Sequence, residues 1–222
     1  MAVLVAGGTG ALGAAVVREL FDTDHEVAAT WIVAAERERL ASAPVQLVEA
    51  DLFDPLAAEA AVAAVDDLEA VVNLVGGFHS GPRVHETDPD DFLRMLRLNV
   101  APAFMLARAA MPRLVERGGG AFVGVSARAA LRPFPGAAGY ITGKAGVLAF
   151  IQTLDAEYRA HGVRSNAILP SVIDTPANRA SMPDADHSKW VQPEEIAKVV
   201  RFLVSDESAP TSGAAIPVYG RA

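Results

Sequence analysis

The chain has 222 residues, 51% of them apolar, with 19 basic against 27 acidic side chains and a formal net charge of −8. This length suits one domain, because single α/β domains run to ~250 residues. The acidic balance argues against a nucleic-acid partner, since phosphate backbones require clustered Lys and Arg. The absence of cysteine excludes disulfides, a thiol nucleophile and a thiolate metal site, and it suits the cytoplasm.

Neither a membrane segment nor a secretory signal is predicted. The most apolar stretch of useful length, residues 101–115, is interrupted by Arg108 and Arg113, whereas a bilayer span requires ~20 uninterrupted apolar residues. The N-terminus has no basic leader and runs directly into glycines. No histidine pair has the spacing of a metal site, so we expect a soluble chain without a metal.

Short apolar runs alternate with longer helix-like segments, which is the pattern of βαβ units and a parallel sheet. The predicted strands, nearly all apolar as burial on both faces requires, span residues 2–6, 26–31, 45–50, 70–75, 121–125, 164–169 and 214–219. The predicted helices span residues 11–21, 55–65, 89–116, 137–161 and 193–205. We therefore predict one doubly wound α/β domain over residues 1–222, with about seven mainly parallel strands flanked by helices.

Two long irregular segments follow predicted strands, at residues 76–88 and 170–192. Open α/β sheets bind ligands at the carboxyl ends of their strands, so we predict substrate loops here. Mobile surface loops are the alternative. His79 and His85 lie in the first segment, where they either hydrogen-bond a polar substrate or are simply solvated.

A glycine-rich segment lies between the first predicted strand and the first predicted helix. It reads Gly7-Gly8-Thr9-Gly10-Ala11-Leu12-Gly13. Glycines at 7, 10 and 13 allow a tight turn, a close approach of the backbone to a pyrophosphate and close helix packing. An ordinary strand-to-helix turn is the alternative, but the strand before it and the helix after it favour a dinucleotide site, with the helix N-terminus facing the anion.

Tyr140 and Lys144 are four residues apart in a predicted helix, so they share one face. A nearby ammonium stabilises a phenolate, so we expect Lys144 to lower the pKa of Tyr140 and make it a usable proton donor or acceptor near neutrality. Alone, such a pair usually marks a solvated helix face. In a chain that also has a nucleotide loop, it indicates a catalytic site.

Together with Asn73-Leu74-Val75-Gly76 and Asn99, these motifs resemble the short-chain dehydrogenase/reductase family over essentially the whole chain. The resemblance implies a Rossmann-type sheet of seven parallel strands, an NAD(P)H cofactor and a small-molecule substrate. It makes Tyr140 the catalytic acid and Lys144 a contact of the nicotinamide ribose. It makes Asn99 the anchor of a water in the proton relay, with a polar surface position as the alternative.

The same resemblance implies a homodimer or homotetramer, and the helices predicted at 89–116 and 137–161 are long enough to bury a shared face. It also implies adenine contacts from Asp51 and Leu52, and a contact of Thr175 with the nicotinamide carboxamide or the pyrophosphate. The full set of expected cofactor contacts comprises Gly7, Thr9, Gly10, Ala11, Leu12, Gly13, Trp31, Asp51, Leu52, Val75, Gly76, Tyr140, Lys144, Pro170, Val172 and Thr175.

A narrower resemblance covers residues 129–136 and 169–186, which are similar to the quinonoid dihydropteridine reductase branch of the family. Most of the family has a substrate-orienting serine thirteen residues before the tyrosine, and that position is Ala127 here. The dihydropteridine reductases also lack this hydroxyl. Ser126 lies one residue earlier, and neighbouring strand-end residues point to opposite sides, so it serves as the orienter only if the loop bends. Asn99 follows the wider family instead of this branch.

Cofactor preference depends on the end of the second predicted strand, at Thr30 or Trp31, where an acidic side chain would accept the ribose hydroxyls of NAD. The absence of that acid favours NADPH, although no arginine follows immediately and the next ones are Arg37 and Arg39. Trp31 either stacks near the adenine or packs against the core.

The sequence thus predicts an NAD(P)H-dependent oxidoreductase that transfers a hydride to a conjugated C=N or C=O acceptor such as a quinonoid dihydropteridine, while Tyr140 supplies a proton. A ketone, aldehyde or 3-oxoacyl reductase with Ser126 as the orienter is one alternative. A catalytically silent nucleotide-binding sensor or subunit is another, and the intact pair of Tyr140 and Lys144 speaks against it.

Overall fold

The architecture is one parallel sheet with helices on both faces. The computed structural model describes residues 1–23 and 25–221. Its strands are β1 Ala2–Ala6, β2 Glu26–Trp31, β3 Gln46–Glu49, β4 Leu68–Asn73, β5 Gly120–Val125, β6 Val163–Pro170 and β7 Ala215–Val218. They form one seven-stranded sheet in the order β3-β2-β1-β4-β5-β6-β7, and every neighbouring pair is parallel. The predicted doubly wound α/β fold is confirmed.

The helices are α1 Ala11–Phe21, α2 Pro55–Ala63, α3 Pro89–Arg117, α4 Ala138–Tyr158, α5 Pro176–Ser181 and α6 Pro193–Val204. Side chains of β1 alternate between the two faces of the sheet, as the period of a strand requires. Val3 and Val5 pack with α1 and α6, whereas Leu4 packs with α2, α3 and α4. Both faces are therefore buried, which explains why the predicted strands are almost entirely apolar.

Four helices, α2, α3, α5 and α6, begin at a proline preceded by a polar residue. The Asp54 side chain accepts a hydrogen bond of 3.0 Å from the Leu56 amide at the start of α2, and Asp88 accepts one of 2.8 Å from Asp90 at the start of α3. At α6, Gln192 and Glu195 form a reciprocal capping box. These caps satisfy amides that have no partner within the helix, so the sequence sets the starts of these helices locally.

Several elements end one to three residues from their predicted bounds, and α4 ends at Tyr158 instead of residue 161. Three further differences concern the segments around the carboxyl ends of the strands. Strand β4 is shifted two residues toward the N-terminus, because Asp67 has φ +43° just before it and the Asn73 side chain accepts from the Val75 amide just after it. The short helix α5 lies inside the segment predicted to be irregular, where Thr175 caps it and Pro176 begins it. A 3-10 helix over Ala34–Leu40 follows β2. In the part of the chain that the structure describes, no helix is both long and apolar enough to cross a membrane.

The carboxyl ends of the strands bring together four separate segments: the glycine loop after β1 and the loops after β4, β5 and β6. Helix α4 reaches this edge because it packs unusually close to α3. A Cβ on Gly139 would lie 3.0 Å from the Met95 Cβ, and a Cβ on Gly143 would lie 3.1 Å from the Met95 carbonyl oxygen. Two glycines on one face of α4 thus place its first turns against α3 at the sheet edge.

Candidate active site

Lys144 lies at the centre of the site, on the second turn of α4. Only 7% of its surface is exposed, and its Nζ donates a hydrogen bond of 3.0 Å to the carbonyl of Val125 at the end of β5. Burial destabilises the charged ammonium and lowers the pKa of Lys144 to about 8. The chain therefore holds an ammonium that gives up its proton unusually easily, directly above the sheet.

Tyr140 lies one helical turn before Lys144, as predicted, and is half-buried. Burial raises the pKa of the Tyr140 phenol to about 12, and no opposing effect of the ammonium is resolved. The expectation that Lys144 lowers this pKa is wrong for the chain by itself, because loss of hydration outweighs the charge one turn away. The consequence for chemistry is that Tyr140 stays protonated at neutral pH, which is the form of a proton donor.

Asn99 closes the site from α3. It is fully buried, its Oδ1 accepts from the Gly77 amide at 3.2 Å, and its Nδ2 donates to the carbonyls of Gly77 at 3.1 Å and Met95 at 3.0 Å. The alternative of a polar surface position is therefore wrong. Its side chain holds the backbone after β4 in place, while its role as a water anchor stays a prediction.

Gly76 fits between the two polar groups of the site. A Cβ at this position would lie 2.7 Å from the Asn99 Oδ1 and 3.0 Å from the Lys144 Nζ. The backbone after β4 can approach Lys144 this closely only because residue 76 has no side chain. The structure thus brings together Gly76, Asn99 and Lys144, which are far apart in sequence, at the carboxyl edge of β4 and β5.

The Ser126 side chain is not placed to orient a substrate. It is 2% exposed, and its hydroxyl donates a hydrogen bond of 2.7 Å to the main-chain carbonyl of Lys144. Ala127, at the family position of the orienting serine, is also buried. The bend that would turn the Ser126 hydroxyl toward a substrate is not observed, and the hydroxyl instead joins α4 to the end of β5.

The glycine loop has the shape of a phosphate cradle. Gly7 has φ +73°, so a side chain there would be strained, and a Cβ on Gly13 would lie 2.1 Å from the Gly7 carbonyl oxygen, which excludes a side chain at that position. Gly10 precedes α1 and no side chain caps the helix, which leaves its first amides available to an anion. Residues 7–13 therefore fit the pyrophosphate of a dinucleotide.

The end of β2 supports this loop directly. The buried Thr30 hydroxyl accepts a hydrogen bond of 2.9 Å from the Gly7 amide, so Thr30 anchors the loop. The side chain of Trp31 is partly exposed at the same strand end, and the Arg37 guanidinium lies over its ring, 4.8 Å from the centroid. Trp31 thus presents an aromatic surface beside the loop rather than a core side chain.

The two arginines that follow the second strand at a distance in sequence, Arg37 and Arg39, lie beside its end and the glycine loop. The 3-10 helix after β2 carries Arg37 to Trp31, and it carries Arg39 to the loop itself, where Nη1 donates 2.8 Å to the Thr9 carbonyl. Arg39 also forms an ion pair of 2.8 Å with Glu36. Glu36 and Arg39 are three residues apart, the spacing of neighbours on one helix face, which was the available signal for a helical turn here.

The remaining expected cofactor contacts lie along the same edge. Asp51 is exposed after β3, and its carboxylate accepts 3.0 Å from the Phe53 amide, while Leu52 is buried in the core. Val75 lies beside the glycine loop, since a Cβ on Gly7 would contact its Cγ2 at 3.2 Å. Asp51 and Val75 are therefore accessible to a nucleotide. Of these three residues, only Leu52 is too buried for its side chain to contact the cofactor.

The segment after β6 is held by a polar cluster. β6 ends at Pro170, the Val172 carbonyl accepts 3.0 Å from the Val191 amide, and the Thr175 hydroxyl accepts 3.2 Å from the Asn178 amide as the cap of α5. Asp174 accepts from Arg179 and, at 2.8 Å, from Gln192. These bonds hold the pKa of Asp174 well below its usual range, and they fasten both ends of the predicted substrate loop.

Cavities lie at both ends of the sheet. The larger one found in residues 1–23 and 25–221 has about 690 Å³ and lies at the amino ends of the strands, lined by residues such as Arg117, Gly162 and Arg164, none of them a predicted site residue. A smaller cavity of about 140 Å³ lies between the loop after β4 and the start of α4 and includes His79 and Gly139. Gly139 is followed in the chain by Tyr140, so the smaller cavity adjoins the predicted catalytic tyrosine.

Comparisons with known proteins agree with this geometry. A family profile described as Enoyl-(Acyl carrier protein) reductase matches residues 7–220. The 4-formylbenzenesulfonate dehydrogenase of Comamonas testosteroni is 30% identical over 175 residues, covering 73% of this chain and 69% of that protein. The 2-(R)-hydroxypropyl-CoM dehydrogenase of Xanthobacter autotrophicus is 27% identical, covering 98% of this chain and 96% of that protein.

A solved short-chain type dehydrogenase/reductase from Mycobacterium ulcerans superimposes with a TM-score of 0.92 at 26% identity, covering 99% of this chain and 88% of that one. The similarity therefore extends from the glycine loop to the last strand, and it includes both the fold and the sequence. The chain belongs to the short-chain dehydrogenase/reductase family of NAD(P)-dependent oxidoreductases.

Proposed function

We propose that the chain reduces an electrophilic C=O or C=N bond with NADPH and uses Tyr140 as the proton donor. The observation that carries this proposal is the convergence of Asn99 and Lys144 on Gly76 at the carboxyl edge of the sheet, with Tyr140 one helical turn before Lys144. Burial keeps Tyr140 protonated at neutral pH, which reduction requires, since its pKa is raised to about 12.

The residues divide the chemistry between them. A nicotinamide cofactor bound along the glycine loop supplies the hydride to the electrophilic carbon. The Tyr140 hydroxyl gives its proton to the attached oxygen or nitrogen, so that hydride and proton together saturate the double bond. The Lys144 ammonium stabilises the phenolate that remains, and its pKa of about 8 lets it exchange protons near neutrality.

Ser126 is a positioning residue in this proposal, because its hydroxyl is bonded to the Lys144 carbonyl. Since residue 127 is alanine, the family position offers no hydroxyl to orient a substrate. A flat conjugated acceptor suits such a site, because packing against its ring replaces the missing hydrogen bond. The conjugated C=N or C=O acceptor, with a quinonoid dihydropteridine as one example, is therefore the first candidate.

A ketone, an aldehyde or a 3-oxoacyl compound is the second candidate substrate. The name of one curated relative favours it, since that protein is a dehydrogenase of a 2-hydroxypropyl compound. In this case Asn99, Tyr140 and Lys144 keep the same roles. The two candidates differ in whether the acceptor carries a flat conjugated ring that can pack in the site.

NADPH is the proposed cofactor because two guanidinium groups lie where the adenosine ribose is expected. Arg37 covers Trp31, Arg39 contacts the Thr9 carbonyl, and the strand end between them carries no acidic side chain. A 2′-phosphate gains charge-assisted hydrogen bonds from such groups, whereas a free hydroxyl does not need them. Asp51, Val172 and Thr175 remain proposed contacts of the cofactor.

A homodimer or homotetramer formed through α3 and α4 is part of the proposal. Phe104 on α3 is 47% exposed and packs against Phe150 on α4, with 6.1 Å between the ring centroids. An aromatic pair that spans two long helices and has one exposed member is what a shared interface would cover. Light scattering of the purified chain tests the assembly, while the cytoplasmic location stays a prediction.

The deciding experiment follows oxidation of NADH and NADPH separately, with a quinonoid dihydropteridine, an aryl aldehyde and a simple ketone as acceptors. We expect NADPH turnover, and we expect Tyr140→Phe to lower kcat by roughly 10²–10⁴-fold while NADPH still binds. Fast pterin turnover supports the first candidate, and carbonyl turnover alone supports the second. If the chain binds the cofactor without turnover, and Tyr140→Phe changes nothing, a catalytically silent nucleotide-binding protein is supported instead.

A further inference from the structure

Phe78 is an exposed aromatic residue in direct contact with the ring of Tyr140. Their ring centroids are 4.9 Å apart and their planes are inclined by 85°, an edge-to-face contact. Phe78 nevertheless leaves 56% of its surface exposed. Burial of an apolar ring is favourable, so an exposed ring that touches the proton donor requires a reason.

The position of Phe78 is fixed by the scaffold. The residue before it, Gly77, exchanges two hydrogen bonds with the Asn99 side chain, at 3.2 and 3.1 Å. A Cβ on Gly77 would lie 2.5 Å from the Leu98 Cδ2, so the backbone is pressed against α3. Asn99 thus holds the backbone that carries Phe78 next to the helix face from which Tyr140 projects.

The other loops at this edge present similar side chains. Leu131 and Phe134 follow β5, Val172 follows β6, and all three are exposed. The Gly81 amide donates 2.7 Å to the Gly136 carbonyl, which ties the loop of Phe78 to the loop of Phe134. Each of the three loops therefore offers exposed apolar surface, which is the composition of a binding site for an apolar group.

We propose that Phe78 is a specificity-determining residue, which forms the wall against which a flat conjugated ring of the acceptor packs while its C=O or C=N reaches Tyr140. The inference rests on the proposed function and names its substrate class. The Phe78 ring supplies the orientation that the absent hydroxyl at Ala127 cannot supply, because a planar acceptor against a fixed ring has few orientations left. A saturated ring of the same size cannot pack as flatly.

The test compares benzaldehyde with cyclohexanecarbaldehyde, which differ in the flatness of the ring. With NADPH, we expect Phe78→Ala to lower kcat/KM for benzaldehyde by about tenfold or more, chiefly through KM, and to change kcat/KM for cyclohexanecarbaldehyde by less than about threefold. Phe78→Tyr keeps the flat wall and is expected to preserve the preference. Phe202→Ala removes an exposed ring from α6, on the opposite face, and should alter neither rate.

Equal losses for the two aldehydes would overturn the inference, because Phe78 would then only support the Tyr140 ring. A separate measurement does not depend on turnover: calorimetric binding of each aldehyde to the NADPH complex of Tyr140→Phe, with and without Phe78→Ala. If Phe78→Ala weakens the binding of benzaldehyde tenfold and leaves that of cyclohexanecarbaldehyde unchanged, the ring site is upheld. This conclusion holds even if the wild-type chain reduces neither aldehyde, because a lack of turnover would count against the proposed function only. Unchanged binding of both aldehydes contradicts the ring site itself.

Discussion

The Ser126 hydroxyl donates a 2.7 Å hydrogen bond to the main-chain carbonyl of Lys144. This bond joins the residue just after β5 to the second turn of α4, and the Lys144 ammonium donates in turn to the Val125 carbonyl at 3.0 Å. The two bonds run in opposite directions between the same two elements. They fix the helix that carries Tyr140 at one height above the sheet.

Ser126→Ala is expected to affect stability more than chemistry. The Lys144 carbonyl loses its buried partner, so we expect the free energy of unfolding to fall by ~1–2 kcal/mol in urea denaturation, while kcat falls less than about tenfold. Ser181→Ala, which removes an exposed hydroxyl bonded to the Asn178 carbonyl, should change both quantities little. A loss of kcat above about a hundredfold at unchanged stability would make Ser126 the substrate orienter after all.

Lys144 makes stability depend on pH in a defined direction. Burial lowers its pKa from 10.5 to about 8, so between these values the unfolded chain binds a proton that the folded chain does not. The free energy of unfolding therefore rises with pH in this window, by at most ~1.4 kcal/mol per pH unit from this group. Below pH 8 the cost of burying the charge is fully present.

Urea denaturation between pH 8 and pH 10 tests this behaviour with Lys144→Met. This range avoids Tyr140, whose raised pKa of about 12 has the opposite effect, a loss of stability as pH rises from 10 through 12. We expect the variant to lose the rise with pH that the wild-type chain shows. Lys198→Met, at an exposed lysine of α6, should retain the wild-type rise. The same rise in both variants would mean that the Lys144 ammonium is well solvated.

Gly76→Ala is expected to disrupt the site without a change of charge. The new methyl group would lie 2.7 Å from the Asn99 Oδ1 and 3.0 Å from the Lys144 Nζ, so at least one of these groups must move. We expect ~1–3 kcal/mol of destabilisation and about a hundredfold loss of kcat/KM. Gly81→Ala, on the same loop with only ordinary contact at 3.5 Å, is the control. Full activity in Gly76→Ala would show that the loop is free to adjust.

Arg39→Gln tests the cofactor preference. Arg39 lies against the glycine loop through the Thr9 carbonyl, so loss of its charge should raise the KM for NADPH by about tenfold and leave the KM for NADH nearly unchanged. Initial rates at varied cofactor concentration measure both constants. Arg108→Gln removes an exposed arginine that pairs with Glu59 on α2, and it should have no effect on either. Equal increases for both cofactors would mean that Arg39 only supports the loop.

The features that depend on local geometry could be predicted from the amino-acid sequence. The apolar runs predicted seven strands because both faces of the sheet are buried, and their alternation with helices predicted the parallel order. Tyr140 and Lys144 share a face because a helix repeats every 3.6 residues. The glycine positions follow from the steric demands of the turn, since a Cβ on Gly13 would collide with the Gly7 carbonyl oxygen.

The features that join distant segments depend on how the helices and strands pack, so they could not be predicted from local patterns. The direction of the Ser126 hydroxyl depends on α4 lying against β5, and the return of Arg39 to Thr9 depends on the 3-10 helix after β2. The pKa of Tyr140 rises because neighbouring elements remove its hydration, and a local pattern carries no information about that environment. Phe78 touches Tyr140 for the same reason, since the contact exists only once Asn99 on α3 holds the backbone after β4 against α4.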